Sequence, residues 1–286
     1  MEGAIATEGQ SPTPPAGLVR RLGPADEAAL LTATKNDQGY ALFITSNTLS
    51  YGLAGDDPRY WAYEQPAGNI AAVLMRAGQN GNLYARAGAD PEPLIDLALG
   101  ERLAFIMGEA TTMARIEARA PERLQRVEHH HFADLPQPRF TTLPFPFPAD
   151  AQVRRGHPND VDALARLYFR STGFETMTYF AVRNVMMSRL THLRTHLAEM
   201  DGTVVAAAAT TAETPVAAMI GGVWAAPAAR GRGLSTAVVA SLARELLREH
   251  RRPYLFYLED NAPAARVYAK IGFRNIGGWR VVYFER

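Results

Sequence analysis

The chain has 286 residues, of which 47% are hydrophobic, so it is long enough for two domains of ordinary size with real cores. Its formal net charge of +1 argues against a general nucleic-acid binder or a membrane-surface binder. The sequence holds no cysteine, which excludes disulfides, thiolate metal sites and cysteine nucleophiles. Since it has neither a signal-peptide pattern nor an apolar run of bilayer length, we expect a cytoplasmic protein.

The first half of the sequence predicts an α/β domain behind a flexible tail. Residues 1–17 are rich in Gly, Pro, Ala and Thr, a composition typical of a flexible segment. Hydrophobic periodicity predicts helices over 26–35, 39–53, 92–99 and 111–119, and strands over 59–64, 70–75, 83–86, 103–107 and 126–133. The Asn-Gly pair within residues 79–82 predicts a hairpin turn there, because this dipeptide tolerates positive φ. We assign the domain to residues 18–135.

Residues 105–116 of this half have the pattern of a strand, a turn and a helix. Only Gly108 marks the turn, and Glu109 puts a negative charge where a phosphate would have to bind. We therefore expect no phosphate site at this step.

Three consecutive histidines, His129, His130 and His131, lie in a predicted strand. Neighbouring residues of a strand point to opposite faces, so the three cannot converge on one ion, and only the first and third share a face. We therefore predict no metal site and favour polar residues on a partly exposed strand.

A proline-rich segment separates the two halves of the sequence. Prolines stand at positions 136, 138, 144, 146 and 148, so residues 136–150 are predicted to be an extended, stiff linker. Phe140, Phe145 and Phe147 leave open that the segment also packs across both domains.

The second half, residues 151–286, alternates strands and helices more regularly. Strands are predicted over 152–155, 194–200, 204–211, 219–226, 254–258 and 280–284, and helices from 158, over 179–190, from 234 and over 261–271. Asp201-Gly202 predicts a hairpin turn, and Gly277-Gly278 predicts a turn into the last strand. The segment Ser171–Thr178 is predicted to be a loop that contains Glu175.

The stretch from Met219 to Ser241 carries the strongest chemical signal. An apolar strand ends at Pro227, two arginines and two glycines follow in Arg230–Ser235, and apolar residues then recur at helical spacing. A helix start has unpaired N–H groups and partial positive charge, and glycines allow close approach, so this turn predicts a phosphate or pyrophosphate site. The alternative is an ordinary turn with solvated arginines.

Two motifs of this half resemble the GCN5-related N-acetyltransferase family. Residues 230–235 read Arg-Gly-Arg-Gly-Leu-Ser, similar to the family's Arg/Gln-x-x-Gly-x-Gly/Ala. Residues 261–273 contain its Asn-x-x-Ala-x-x-x-Tyr-x-x-x-Gly-Phe. The segments 221–227 and 258–273 look most like the FR47-like branch. The resemblance spans residues 151–286 and implies the mixed-sheet α/β acyltransferase fold, preceded, by analogy with that branch, by a degenerate half of the same fold.

The resemblance implies acetyl-CoA or another acyl-CoA as co-substrate, and no metal. The residues whose backbone would hold the pyrophosphate are Arg230, Gly231, Arg232, Gly233, Leu234 and Ser235. The residues whose strand edge would pair with the pantetheine arm are Val223, Trp224 and Ala225. In this family that strand separates from the next one, and a backbone N–H in the gap polarises the thioester carbonyl. Ser235 departs from the family pattern, which has glycine or alanine there, and we expect altered or weaker binding rather than its loss.

The same resemblance gives roles to residues of the second motif. Tyr268 would protonate the leaving thiolate as a general acid, since a phenol has a pKa of about 10. The alternative for Tyr268 is a packed core tyrosine. Asn261 would hydrogen-bond the cofactor arm or only cap the helix, and Ala264 belongs to the cofactor-binding part of the motif.

The general base is left open by the sequence. Many members of the family carry a glutamate on the strand that corresponds to residues 219–226, and this sequence has none there. Glu259, at the end of the next strand, and Glu175, in the loop where the acceptor enters, are the candidates. A water chain without a dedicated base is an equal alternative. His192 and His196 are four residues apart and share a helical face if their segment is helical.

The leading hypothesis is an N-acyltransferase that moves an acetyl group from acetyl-CoA to a primary amine of a small molecule or an amino acid. A protein acceptor is a variant of the same hypothesis. A non-catalytic acyl-CoA-binding or scaffold protein, in which Tyr268 only packs, is the alternative from another class. A nucleotide-binding protein fits less well, because Glu259 and Asp260 already belong to the acetyltransferase pattern. No nucleic-acid or membrane partner is expected.

Overall fold

In the part of the chain that the structure describes, twelve strands form one mixed sheet with helices on both faces, which confirms the predicted fold class. The computed structural model describes residues 17–66, 68–140, 145–171 and 173–285. The strands are β1 (Leu18–Arg21), β2 (Arg59–Glu64), β3 (Ile70–Ala77), β4 (Asn80–Ala85), β5 (Phe105–Glu109), β6 (Leu124–Asp134), β7 (Ala151–Arg155), β8 (Thr195–Met200), β9 (Thr203–Glu213), β10 (Ala217–Ala225), β11 (Arg252–Leu258) and β12 (Arg274–Phe284). The helices are α1 (Glu27–Thr34), α2 (Leu42–Tyr51), α3 (Glu92–Gly100), α4 (Ala110–Arg119), α5 (Val161–Tyr168), α6 (Tyr179–His192), α7 (Leu234–Arg248) and α8 (Ala262–Ile271).

The two halves repeat the same order of elements, a strand, two helices, three strands, a helix, a strand, a helix and a strand. The strand order in the sheet is β1-β2-β3-β4-β5-β12-β6-β11-β10-β9-β8-β7. Each half therefore places its last strand inside the other half, with β12 between β5 and β6, and β6 between β12 and β11. Neighbouring strands are antiparallel, apart from the parallel pairs β4–β5 and β10–β11.

Alternating side chains of the central strands define the two faces of the sheet. Tyr254 on β11 and Val281 on β12 pack in one cluster with Leu42 of α2. Their neighbours Leu255 and Val282 point to the opposite face, where they pack with residues of α7 and of α3 and α4. Helices α3, α4, α7 and α8 thus cover one face, and helices α1, α2, α5 and α6 cover the other.

Two of the three predicted turns lie elsewhere or are absent. The first hairpin turns at Gly78-Gln79 rather than at residues 79–82, since Ala77 pairs with Asn80. Gly78 has a φ of 57°, so it meets the need for positive φ that Asn-Gly was expected to meet. Gly277-Gly278 lies inside β12 at a register shift, and the strand begins at Arg274. The Asp201-Gly202 turn is confirmed, with positive φ at both residues.

The proline-rich segment lies against the second half of the chain where the structure describes it, over 136–140 and 145–150. Phe145 is buried and Phe140 is partly buried in the core beneath α7 and α8, whereas Phe147 is exposed. The close backbone approach of Pro146 to Gly233 brings the segment beside the start of α7. Residues 1–16 of the predicted tail and residues 141–144 of the predicted linker lie outside the described residues. The domain boundaries stay a prediction.

None of the helices in the described ranges has the length and apolar character needed to cross a membrane.

Candidate active site

Strands β10 and β11 separate halfway along their length. They pair only from Ala217–Arg252 to Met219–Tyr254. Beyond that point, residues 220–225 of β10 and 255–258 of β11 flank a gap in the sheet. Because the strands no longer bond to each other there, the edge of β10 that faces β11 keeps backbone groups for an added strand.

A bulge in β10 lies beside this gap. On the other edge of β10, Gly221 pairs with Ala209 and Trp224 pairs with Ala207, so Gly222 and Val223 lie opposite a single residue of β9. Gly222 has a φ of 57°, a conformation that side chains rarely adopt. The Tyr168 hydroxyl donates a hydrogen bond to the Gly222 carbonyl. The bulge therefore turns backbone groups of β10 in a fixed direction at the gap.

The loop from β10 to α7 has the geometry of an anion site. Gly231 and Gly233 have φ values of 77° and 83°, and Gly233 is the N-cap of α7. Among the described residues, no side chain caps this helix and no acidic residue lies in its first turn, so its first N–H groups have no side-chain partner at a partly positive helix end. A Cβ on Gly231 would meet no atom within 4 Å in the described residues, which leaves the loop open to a ligand.

The two arginines of the loop are placed differently. The Arg230 guanidinium lies 4.7 Å from the centre of the Trp224 ring, and its Nε donates to the Ala225 carbonyl at 3.3 Å. Arg232 is exposed and lies 3.8 Å from Asp150. Arg230 thus joins the loop to the end of β10, whereas Arg232 extends towards solvent. Ser235 is half-buried in the first turn of α7.

The first half has no comparable gap in its described residues. Strands β4 and β5 pair from Asn80–Phe105 to Leu83–Gly108, so only two residues of β4 extend past the pairing. A Cβ on Gly108 would lie 2.3 Å from the Leu83 carbonyl oxygen, so the two strands are closely apposed. This close contact leaves no room for a ligand between them.

The step from β4 to α3 corresponds to the step from β10 to α7, because each follows the fourth strand of its half. Residues 105–116 lead from the predicted strand, β5, into the predicted helix, α4, so they correspond to the step from β11 to α8. The loop before α3 carries Asp90, whose carboxylate accepts from Arg115 at 2.8 Å and from the Glu92 N–H at 3.3 Å. A carboxylate thus lies at this helix start, where the second half has glycines.

Asn261 caps α8, which is one of the two roles predicted for it from the sequence. Its Oδ1 accepts from the Ala264 N–H at 3.0 Å. Glu109 has the same place before α4, where its carboxylate accepts from Thr111 and Thr112. The cap explains an Asn at this position, and a contact with a cofactor arm stays a prediction for Asn261 and for Ala264.

Tyr268 lies on the buried side of α8 and is 7% exposed. Its ring centre lies 5.1 Å from that of Tyr257 on β11 and 5.9 Å from that of Phe273. Burial raises the pKa of Tyr268, and the neighbouring Tyr257 adds to the rise. The phenol therefore keeps its proton at neutral pH, as a general acid must before it acts.

The candidate bases lie on different elements. Glu175 is exposed in the loop before α6 and accepts from the Gly173 N–H at 2.7 Å. The pKa of Arg126 on β6 is raised mainly by a hydrogen bond with Tyr283, and the charges of Glu128 and Glu175 contribute to the rise.

Glu259 follows β11 and is exposed, and its N–H donates to the His129 carbonyl at 3.0 Å. The two histidines raised as a helical pair do not share a helix, since His192 ends α6 and His196 lies in β8.

His196 belongs to the α7 face of the sheet. Its two ring nitrogens lie 3.0 Å from the Ser241 hydroxyl and 2.7 Å from the Glu245 carboxylate. These residues line a surface cavity of about 340 Å³ together with Arg244 and Arg248. Ser241 follows Gly233 by two turns of α7, so this cavity is separate from the helix start and from the gap.

Two residues that lie near the gap were not among the site residues predicted from the sequence. His130 on β6 is buried, pairs in register with Leu258 of β11, and packs edge-on against Phe256. Burial lowers the pKa of His130, while Glu128 and Glu259 oppose that change, which puts a neutral imidazole close to Glu259. Its position depends on the exchange of β6 into the second half, for which local sequence carries no signal.

The second such residue is Arg189 of α6. A Cβ on Gly222 would lie 2.9 Å from its Nη1, so its guanidinium lies directly over the bulge. In the sequence, Arg189 is one of several cations on a predicted helix, and only the packing of α6 on β10 distinguishes it.

No group of histidine and acidic side chains in the described part of the chain is arranged to hold a metal ion. The histidine triplet lies in β6 as predicted, and its first and third members point away from the face of His130.

The match to a known protein family lies in the second half of the chain. Residues 199–283 match the family model described as FR47-like protein. A search of curated proteins found no match to the sequence.

Solved structures share the fold over both halves. The GCN5-related N-acetyltransferase from Sphaerobacter thermophilus has a TM-score of 0.63 at 17% identity, over 94% of this chain and 96% of its own. A Drosophila protein has a TM-score of 0.65 at 14% identity, over 94% and 99%. A tandem GNAT protein from the clavulanic acid biosynthesis pathway has a TM-score of 0.59 at 16% identity, over 93% and 97%. At these identities the likeness shows the fold.

The gap, the bulge and the uncapped glycine loop define a protein of the GNAT acyltransferase fold. Within that fold, residues 199–283 match the FR47-like family model, so the carboxyl-terminal region is similar to the FR47-like branch of the GCN5-related N-acetyltransferases.

Proposed function

We propose that the protein is an N-acyltransferase that moves an acetyl group from acetyl-CoA to a primary amine of a small molecule or an amino acid. The observation that carries this proposal is the combination, in one half, of the β10–β11 gap with an open, basic, glycine-rich helix start. The first half has the same elements without either feature in its described residues. The chemistry therefore belongs to the second half.

The cofactor would enter along the second half in an extended form. The N–H groups of residues 231–235 and the charges of Arg230 and Arg232 suit the pyrophosphate, whereas the Arg230 N–H already donates to the Pro227 carbonyl at 3.3 Å. The pantetheine arm would pair with the free edge of β10 at residues 223–225. The bulge at Gly222 supports a role for a β10 N–H group in polarising the thioester carbonyl, because a backbone donor there is fixed before the reaction begins.

The reaction needs one group that donates a proton to the leaving thiolate and another group that takes a proton from the amine. The amine nitrogen attacks the thioester carbon, the C–N bond forms, and the C–S bond breaks as sulfur takes the electron pair. Tyr268 then protonates the thiolate, while the attacking amine loses a proton to a base or to water. Tyr268 recovers its proton from solvent.

Glu175, Glu259 and water remain the proposed bases, and His130 joins them. Its imidazole is neutral because burial lowers its pKa, and a base must be unprotonated to act. The charge of Glu259, at the end of β11, opposes the fall in that pKa, and Glu128 lies 3.8 Å from the His130 ring.

The rival function is acyl-CoA binding without catalysis, in which Tyr268 is a packing residue. Calorimetric titration with acetyl-CoA and mass-spectrometric detection of N-acetylated product, over a broad panel of amines and amino acids, separate the two. Binding with amine-dependent product supports the enzyme. Binding without product from any amine favours the rival function.

A further inference from the structure

The guanidinium of Arg189 lies between α6 and the bulge of β10, and one of its buried donors has no partner among the described residues. Its Nη1 is inaccessible to solvent, and no acceptor bonds to it among the described residues. The guanidinium carbon lies 5.6 Å from the centre of the Tyr168 ring and 5.5 Å from that of Phe174. Two aromatic rings thus stabilise the charge without satisfying its N–H groups.

Two other arginines of this half, Arg194 and Arg183, are paired with acids. Arg194, which is similarly shielded, contacts Glu213, Glu245 and Glu249. Arg183, six residues before Arg189 on the same helix, contacts Asp162 at 2.7 Å. A buried N–H without a partner is unfavourable in the free protein, so a rotation of the guanidinium that brings its N–H groups to an incoming anion removes that penalty.

The location of Arg189 connects it with the reacting groups. Gly222, directly beneath its Nη1, belongs to the bulge beside the β10–β11 gap. Helix α6 covers the face of the sheet opposite α7 and α8, so Arg189 approaches the gap from the side away from the pyrophosphate loop. The Tyr168 hydroxyl donates a hydrogen bond to the Gly222 carbonyl. Burial raises the pKa of Tyr168 to about 12, so the phenol that makes this bond stays neutral.

We propose that Arg189 binds the carboxylate of the acceptor, so that the preferred acceptors are amines that carry a carboxylate close to the nitrogen. This inference rests on the proposed function of the same site. A guanidinium offers parallel N–H donors that fit the two oxygens of a carboxylate, and its shielding by Tyr168 and Phe174 strengthens that contact. An amino acid bound in this way presents its amine towards the thioester in the gap.

The same guanidinium chemistry also fits a carboxylate on the acyl group of the donor. The α6 side of the gap is opposite the loop that would hold the donor's pyrophosphate. This arrangement favours the acceptor, rather than the donor, as the molecule that carries the carboxylate. Experiments with two donors, acetyl-CoA and succinyl-CoA, distinguish the two sources.

The test compares each amino acid with its carboxamide, which keeps the amine and the side chain and removes the negative charge. Release of CoA is measured for the wild type, R189K, R189Q and R183Q, with acetyl-CoA and with succinyl-CoA. R183Q removes a paired, more exposed cation from the same helix and serves as the matched control. Thermal unfolding of each variant shows whether it is folded.

With acetyl-CoA, the wild type is expected to prefer acids over carboxamides by at least about 100-fold in kcat/KM. R189Q is expected to lose this preference through a higher KM for acids, so that its kcat/KM falls much more for acids than for carboxamides. R189K is expected to keep part of the preference, and R183Q all of it. Calorimetric binding of N-acetylated amino acids in the presence of CoA is expected to show the same order.

Equal use of acids and carboxamides by an active wild type overturns the inference and leaves the proposed function intact. If R189Q loses activity only with succinyl-CoA, then Arg189 binds the carboxylate on the acyl group of the donor. That result also overturns the inference. Binding of N-acetylated amino acids through Arg189 with no turnover of any amine contradicts the proposed function instead. If neither binding nor turnover is observed, both proposals fail.

Discussion

Arg20 and Arg154 make the same ion pairs in the two halves of the chain. Each lies on the first strand of its half and contacts one acid before the first helix and another on the second strand, at 2.7 to 3.0 Å. Their partners are Asp26 and Glu64 for Arg20, and Asp160 and Glu199 for Arg154. The two halves therefore share a framework down to individual side chains.

The difference between the halves lies in their fourth strand and in the loop that follows it. β4 has no register shift against β3 and stays bonded to β5, whereas β10 carries the bulge at Gly222 and separates from β11 after Met219. We infer that the first half has a supporting role, since its strand β6 carries His130 and Glu128 to the side of the gap.

The start of α7 allows a test in which stability and binding change in opposite directions. An acidic residue in the first turn of a helix stabilises it, by about 0.3 to 1 kcal/mol. The same charge repels a pyrophosphate. We therefore expect Ser235→Asp to raise the midpoint of thermal unfolding and to weaken acetyl-CoA binding by about tenfold or more, measured by calorimetry. Ser235→Ala is the control and should bind acetyl-CoA nearly as the wild type does. Unchanged binding in Ser235→Asp would place the pyrophosphate elsewhere.

Tyr268 should affect the rate rather than the affinity. Tyr268→Phe is expected to lower kcat about 100-fold, within the usual range for loss of a general acid, with acetyl-CoA binding nearly unchanged. Tyr84→Phe removes another buried phenol, in the first half, and should leave kcat unchanged. Because burial raises the pKa of Tyr268 above its ordinary value near 10, its ionisation should not reduce kcat below about pH 10. A basic limb in kcat at lower pH that disappears in Tyr268→Phe would contradict this assignment.

The bulge of β10 should tolerate no side chain at Gly222. Gly222→Ala combines a φ of 57° with a Cβ that lies 2.9 Å from Arg189 Nη1, so it strains the backbone and displaces the guanidinium. Gly202→Ala, at a φ of 71° with open space around it, is the matched control for backbone strain. Both should lose about 1 to 2 kcal/mol in the free energy of unfolding, measured with denaturant. Only Gly222→Ala should also lower kcat/KM, and equal activity of the two variants would argue against a role for the bulge.

His196 should make the protein less stable at mildly acidic pH. Burial lowers the pKa of His196 below its ordinary value of about 6.5, although Glu245 opposes that change. The unfolded chain then binds more protons than the folded one between the two pKa values, so this contribution is complete above about pH 6.5 and is lost as the pH falls through the folded pKa. The charged or polar groups that face the ring are Ser241, Glu245, Arg155 and Arg194.

The measurement is the free energy of unfolding of the wild type and of His196→Gln between pH 5 and pH 7. The wild type should lose more stability than the variant over that range. His130 is present in both proteins, so its own titration cancels in the comparison. Parallel curves for the two proteins would show that His196 has an ordinary pKa in the folded state.

The parts of the site that depend on local sequence could be predicted. The glycines before α7 and the Asn261 cap act within a few residues of their own helix, so their spacing is sufficient to place them. The gap after Met219 was expected only because the motifs resemble a family that has one.

The residues contributed by distant elements could not be predicted in the same way. Arg189 reaches Gly222 because α6 packs across β10, and His130 reaches β11 because β6 is exchanged between the halves. Neither placement is determined by hydrophobic periodicity, which describes one element at a time. The hairpin turn lies at Gly78-Gln79 rather than at the predicted residues 79–82 for a related reason. Gly81 lies where a Cβ would approach Leu103 to 2.8 Å, so tertiary packing rather than turn preference accounts for the glycine in β4.

The central claim is that the second half transfers an acyl group from CoA to an amine. Its most direct test is the rate at which purified protein releases free CoA thiol from acetyl-CoA, with and without each member of a panel of amines and amino acids. We expect at least one amine to accelerate release and to be recovered in N-acetylated form. Tight binding of acetyl-CoA with no acceleration by any amine would contradict this claim.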